Sequence, residues 1–245
     1  MKTFFNFIPL FYVFIYSRCF MRYFLFLFIF LYLLIFPAFS QQFIGGLKAG
    51  VMGTQVDGDT YSGFNKPGVM AGAFVNLRVP FQKDLGIELP ETANVSPTES
   101  FSPYSLIQME LAFVQKGSRK NPNYEKEDFD EYLLRTDYVE LAILYQFVYS
   151  RKLAFEVGPG FGYLLHTFER KNGDTDLSPV PFRQTIVNYI GGMYFFFNER
   201  TSVNLRMNNS ILSLRNHERS DNDRYRFWHY GQFHVALGLI LQYQL

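Results

Sequence analysis

The 245 residues suffice for one large domain or two small ones, and 48% hydrophobic residues with 19% aromatic supply ample material for burial. Charged residues make up 18%, below the roughly one quarter usual in soluble domains, yet the mean hydropathy is near zero, which excludes a bundle of membrane helices and points to strands. A formal net charge of +1 without any run of Lys and Arg excludes an electrostatic footprint for nucleic acid.

Residues 1–40 carry Lys2, Arg18 and Arg22 and no acidic residue. Within them MRYFLFLFIFLYLLIFPAFS has Arg22 just after Met21, an apolar core over 23–36, and small residues at Ala38 and Ser40, the pattern of a secretory signal peptide cleaved after Ser40. Translation from either Met1 or Met21 is compatible with it. The alternative, an uncleaved anchor, is disfavoured because the core is shorter than the ~20 residues of a helical span. Cys19 is the only cysteine and leaves with this segment, so the mature chain is expected to hold neither a disulfide nor a Cys-based metal site. Tyr16, Ser17 and Arg18 are not the apolar and small residues that precede a lipid-modified cysteine. After cleavage 20 basic residues face 22 acidic ones.

No later segment reaches about 18 consecutive apolar residues, so any further spanning must use strands. Alternation with period two then runs through the chain. In 43–53, Phe43, Leu47, Ala49 and Val51 oppose Gly46, Lys48 and Gly50. In 68–79, Val69, Ala71, Ala73, Val75, Leu77 and Val79 oppose Gly68, Gly72, Asn76 and Arg78, with Met70 and Phe74 as apolar members of the second face. In 105–116, Ile107, Met109, Leu111 and Phe113 oppose Gln108, Glu110, Ala112 and Lys116; in 138–149, Val139, Leu141, Ile143, Tyr145 and Phe147 oppose Glu140, Ala142 and Gln146. In 153–167, Phe155, Val157, Phe161, Tyr163 and Leu165 oppose Glu156, Gly158, Gly160, Gly162 and His166. Residues 185–198 are apolar on both faces, 201–214 set Val203, Leu205, Met207 and Ile211 against Asn204, Arg206, Asn208 and Ser210, and 230–245 form an eighth strand.

Strands of this length can each cross a bilayer when tilted, which takes about 9 to 11 residues. The connections alternate too: 150–152 and 198–200 are tight, whereas 55–67, 117–137, 169–184 and 215–229 are long and polar. Short turns on one rim and long loops on the other predict an all-β, eight-stranded antiparallel up-and-down transmembrane barrel in the outer membrane over 41–245. The connection 80–103 breaks the alternation, as either a periplasmic insertion or an additional structured turn.

These segments also resemble a family. GGLKAGVMGTQVDGDTYSGFNKPGVMAGAFV, SLIQMELAFVQKGSR, YVELAILYQF, EVGPGFGYLL and the closing alternation are similar to the PorT-type outer-membrane β-barrel proteins of Bacteroidota, in order over 43–245. The most specific blocks are Glu110 with Gln115-Lys116-Gly117, then Tyr138-Val139-Glu140-Leu141, then Gly158-Pro159 ahead of Gly162-Tyr163-Leu164-Leu165. The resemblance implies an eight-stranded outer-membrane barrel with an N-terminal signal and no particular activity. The family's namesake is associated with protein secretion by the type IX system, and a secretion role here would rest on that name alone.

The candidate site is the set of charges at mid-strand. Lys48, Arg78, Glu110, Glu140, Glu156 and Arg206 share the polar faces; a basic group on the lipid face near the midplane costs about 2 to 4 kcal/mol, so they are expected to point inward and pair. An eight-stranded barrel is just wide enough to be filled by such side chains, which predicts a structural ion-pair network; a gated conduction path or small-ligand site is the alternative. Gly158, Gly160 and Gly162 are expected to make room for large neighbours such as Tyr194 or Phe196, and Pro159, lacking a ladder donor, to sit at a bulge. Asp57-Gly58-Asp59 lacks the remaining spacing of a calcium loop and reads as a polar tip. His166, His217, His229 and His234 show no paired metal spacing and read as rim or surface residues. Tyr61, Phe64, Tyr124, Tyr132, Tyr225, Phe227 and Trp228 read first as interface-belt aromatics and second as an adhesive outer surface.

No catalytic residue, metal or cofactor is assigned. An acyl-transfer enzyme acting on lipid would need a serine beside a histidine on one outward stripe, which the spacing does not provide. A narrow porin would require a lumen free of the charges. The expected partners are outer-membrane lipid, the barrel-assembly machinery, which reads a terminal strand like FHVALGLILQYQL, and a ligand or protein at the loops that the sequence does not identify; the chain is expected to be monomeric.

Overall fold

The computed structural model describes residues 43–59, 61, 63–79, 101–175, 180–215, 224–226 and 229–245. The predicted signal peptide, residues 80–100 of the exceptional connection, and His217, Phe227 and Trp228 lie outside the described residues.

In chain order the strands are β1 (Phe43–Asp57), β2 (Lys66–Arg78), β3 (Tyr104–Lys120), β4 (Tyr132–Val148), β5 (Leu153–Lys171), β6 (Thr185–Phe196), β7 (Thr201–Ser210), a short hairpin of β8 (Arg224–Arg226) and β9 (His229–Gly231), and β10 (Phe233–Gln244). Eight of them close into a barrel in the order β1-β10-β7-β6-β5-β4-β3-β2, every pair antiparallel. Closure is made as the sequence predicts: β1 pairs with β10 from Gly46↔Gln244 to Asp57↔Phe233, and the Leu245 N–H donates to the Gly45 carbonyl at 3.0 Å. Closure pairs both edges that an open sheet would leave bare.

The two tight turns follow from local chemistry. The Ser150 hydroxyl accepts from the Leu153 N–H at 3.1 Å, and the Asn198 side-chain Oδ1 accepts from the N–H groups of Arg200 and Thr201 at 2.9 and 2.8 Å. At the opposite rim, β3 and β4 continue well beyond the predicted strand ends, in register to Lys120↔Tyr132. The run of Ser118, Arg119 and Lys120 reads as loop, but Ser118 turns inward beside buried Leu134, and the polar side chains only mark where the hairpin leaves the lipid. Its tip is a 3-10 turn (Tyr124–Lys126) capped by Asn123, with Glu127 left-handed at φ 54°. Gly117 sits at φ +150°, and a Cβ there would lie 1.9 Å from the Leu134 carbonyl oxygen, so only glycine fits this crossing.

Two local expectations are corrected. No register shift occurs at Pro159: the β4 ladder skips the two pairs between Ala142↔Gly160 and Tyr145↔Val157 and resumes unchanged, because the proline faces outward and only its missing donor interrupts the pairing. The irregularity falls instead between Asp137 and Tyr138, where β5 takes up an extra residue. Likewise β7 ends at Ser210 instead of 214; the chain turns over the long-loop mouth, where Leu214 is buried with Val56, Tyr132 and Tyr138, and the Arg183 N–H donates to the Leu214 carbonyl at 2.8 Å.

Every barrel strand sorts by parity. Val51 is 64% exposed and Val157 61%, whereas Lys48 is 3% exposed and Arg206 fully buried. Among the described residues no second sheet packs on the odd-numbered stripe of Leu, Val, Phe and Tyr, so the apolar band faces outward round the barrel and the polar positions face inside. This is the inside-out arrangement of a transmembrane barrel and the reverse of a soluble sandwich.

Candidate functional site

The inward side chains form two charged layers separated and bounded by apolar ones. The first layer is built from four strands. Arg206 on β7 reaches across the lumen to Glu110 on β3, with Nη1 at 2.5 Å from Oε1 and Nη2 at 3.2 Å from Oε2, and also grips Glu156 on β5, with Nε and Nη2 at 2.8 and 2.9 Å from its two oxygens. Lys48 on β1 donates to Glu110. The remaining acceptor capacity of the carboxylates is filled by Gln108 to Glu110 at 3.0 Å, and by Tyr194 and Asn204 to Glu156 at 2.9 and 2.8 Å. Two cations meet two carboxylates, so the layer is neutral. Each ion has several hydrogen bonds, which is the condition under which buried charge is tolerated.

The second layer lies nearer the long loops. Lys116 donates to Glu140 at 2.6 Å and to Asn208 at 3.0 Å, while Asn188 and Asn208 donate to Glu140 at 3.0 and 2.8 Å. The Lys116 ammonium also stands 5.9 Å from the centre of the Tyr138 ring. Met52, Met70, Ala112, Val114, Ala236 and Ile240 form one apolar cluster, and Ala142, Leu144 and Ile190 another. Together these layers fill the middle of the barrel.

Of the six predicted network residues, the structure brings Lys48, Glu110, Glu156 and Arg206 into one cluster and places Glu140 in the other. Arg78 does not join either. It lies on the inward parity but at the short-turn rim, exposed, with its guanidinium 4.7 Å from the centre of the Tyr104 ring. Lys116 completes the second layer and was missing from the predicted set, although it shares a face with Glu110. His234 faces the lumen as the alternation of the closing strand implies, but it is fully buried and not a solvated rim residue: its Nε2 lies 3.1 Å from the Thr136 hydroxyl and 3.4 Å from that of Tyr138. The neighbours accommodated by Gly160 and Gly162 are Ile190 and Ile186, 2.9 and 2.8 Å from where a Cβ would stand, instead of Tyr194 or Phe196; Gly158 lets the β4 backbone itself approach.

The long-loop mouth is covered by Tyr61, whose ring is tilted against that of Tyr132 with centres 4.7 Å apart, and by Phe182 beneath the Arg215 guanidinium at 4.0 Å. Tyr132 donates to Glu169 at 2.8 Å, and Arg215 pairs with the same carboxylate. Tyr61 and Tyr132 are therefore mouth residues and not belt aromatics. Tyr124 and Phe129 instead stand exposed at the β3–β4 tip, 5.9 Å apart. His166, on the outward face, has its Nδ1 3.8 Å from Asp137, and no serine or threonine hydroxyl is bonded to it among the described residues.

In the β1–β2 loop Asp59 turns inward, accepting from the Tyr61 N–H at 2.9 Å and from the Ser118 hydroxyl, so it is not an exposed loop tip. Burial pushes its carboxyl up from 3.8 to about 6. The sign follows: below the unfolded value the group is neutral in both states and costs nothing, and the cost of its buried charge grows as pH rises to the folded value. Asp59→Asn is therefore expected to gain stability over the parent at about pH 7.5 and to match it near pH 3.5, measured as urea midpoints of the refolded protein.

No family model matches the sequence, and no curated protein matches it. Among solved structures, the chain is similar to Ail, the attachment invasion locus protein of Yersinia pestis, in complex with the heparin analogue sucrose octasulfate, at 12% identity and a TM-score of 0.39 over 83% of this chain and 99% of that one. It is similar also to Ail alone, at 11% identity and a TM-score of 0.37 over 82% of this chain and 98% of that one. A third likeness is to Neisserial surface protein A, at 9% identity and a TM-score of 0.45 over 82% of this chain and 97% of that one.

Proposed function

We propose that the chain is a monomeric, non-enzymatic integral protein of the bacterial outer membrane, of the PorT type, delivered by a cleaved signal at 1–40 and inserted by the barrel-assembly machinery. Its work is done by the surfaces beyond the membrane, as a structural or interaction protein, and not by transport through the lumen. The observation that carries this reading is the neutral layer of Lys48, Glu110, Glu156 and Arg206, which spans the barrel from wall to wall. A permeating ion would have to break several charge-assisted hydrogen bonds in a low-dielectric interior, where each is stronger than in water. The long loops, with the exposed Tyr124 and Phe129 on a capped hairpin tip, would face outward.

The test is conductance. Purified barrel in planar bilayers is expected to show no reproducible single-channel steps. Steady steps from the parent protein would overturn the closed-lumen reading. Turnover of labelled lipid by the same preparation would overturn the non-enzymatic one.

A further inference from the structure

The short-turn end of the barrel holds a cavity of about 600 Å³, within the range of about 300 to 1,000 Å³ of small-ligand sites. It is blind: its floor includes Tyr194, Gln146 and Gln242, all tied through Gln108 to the first ion-pair layer. The barrel-strand residues lining it, such as Asn76, Gln146 and Gln242, have the inward parity, so it opens along the barrel axis and not sideways into the bilayer. A lipid would have to leave its leaflet to enter. A water-borne molecule would not.

The chemistry of the walls is selective. Arg78, Arg151, Lys152 and Arg200 border the cavity against one carboxylate, Glu199. Beneath them are aromatic rings, with Phe101 6.1 Å from Tyr104 and Tyr194 stacked on Phe196 at 6.1 Å, and below these the side-chain amides of Asn76, Gln146 and Gln242. Side-chain amides match the donors and acceptors of a peptide backbone, aromatic rings take its side chains, and the cationic mouth takes carboxylates.

We propose that this vestibule binds the acidic end of a polypeptide chain, with carboxylates at the Arg78, Arg151, Lys152 and Arg200 mouth and backbone amides on the floor. That the occupant comes from the periplasm rests on the orientation proposed above; binding itself does not.

The experiment uses the full mature barrel refolded in zwitterionic detergent and a fluorescein-labelled acidic hexapeptide with a free C-terminal carboxylate, followed by anisotropy. Binding is expected to weaken at least tenfold for the amidated peptide with its acids replaced by amides, and for the combined variant Arg78→Gln, Arg151→Gln, Lys152→Gln and Arg200→Gln. Asn76→Trp, which fills the floor and leaves the mouth charge intact, is expected to weaken it as strongly, and each variant is checked for parental heat-modifiable gel mobility. Equal binding of acidic and neutral peptides, binding unaffected by the floor variant, or no peptide binding beside saturable binding of a fluorescent short-chain phosphatidylglycerol would overturn the proposal, the last in favour of a lipid head-group site. Ser150→Cys labelled by an impermeant maleimide only after outer-membrane permeabilisation is expected; labelling in intact cells would overturn the orientation and leave the binding result standing.

Discussion

Replacing Arg206 by methionine is expected to lower the stability of the refolded barrel by about 3 to 5 kcal/mol, the cost of leaving a buried charge without its partner. Arg206 joins β7 to both β3 and β5 across the lumen, and each carboxylate takes two of its N–H groups. Its loss leaves Glu110 with Lys48 but strips Glu156 of its only cation, with Tyr194 and Asn204 as its remaining donors. Arg206→Lys keeps the charge but cannot bridge two carboxylates with a planar fork, so it is expected to fall between the two. The double change Arg206→Met with Glu156→Gln restores a neutral layer and should recover most of the loss. Urea titration followed by heat-modifiable gel mobility reads all three. A loss below about 1 kcal/mol for Arg206→Met would mean that water, and not Arg206, satisfies the two carboxylates.

The second large effect lies on the opposite face. Leu239 stands half-way along β10, about half exposed and flanked by the exposed Val51 and Leu205. Leu239→Arg is expected to destabilise the barrel in a phospholipid bilayer by about 2 to 4 kcal/mol, whereas Phe43→Arg, at the rim, should cost about 0 to 1 kcal/mol. The contrast between the two positions matters more than either value, because both are exposed apolar residues and in water both changes would be nearly neutral. Reversible unfolding from liposomes of defined composition measures the difference.

Which side of each strand turns inward is legible in the sequence because alternation is local: Lys48, Glu110, Glu140, Glu156 and Arg206 each betray their face by their immediate neighbours. Height along the barrel axis is not local. It depends on tilt and on the stagger between strands, so nothing in the neighbourhood of Arg78 distinguishes a rim residue from a member of the central layer, and nothing near Glu156 reveals that Arg206, fifty positions on, grips it. Lys116 was missed for the related reason that Gly117 to Lys120 reads as the start of a loop, although the β3–β4 hairpin continues to Lys120↔Tyr132. The parity of His234 is legible in the closing strand, but its full burial is not, because the long-loop mouth above it is covered by Leu214, Tyr132 and their neighbours, which arrive from other parts of the chain. The glycine stripe of β5 was rightly read as making room. Its occupants, Ile186 and Ile190, depend on the β5–β6 register, which the two-sided apolar character of residues 185–198 concealed.

Through the middle of the barrel, odd-numbered positions meet lipid and even-numbered positions are sealed inside. Single cysteines along β10, each carrying a nitroxide in liposome-reconstituted protein, test it most directly through collision with oxygen and with a water-soluble nickel complex. Labels at Leu237, Leu239 and Leu241 are expected to be highly accessible to oxygen and protected from nickel, and labels at Ala236, Gly238 and Ile240, where they fold stably, to be protected from both. Nickel access at Leu237, Leu239 and Leu241 would contradict the membrane-facing assignment, and nickel access at the even positions would contradict the closed lumen.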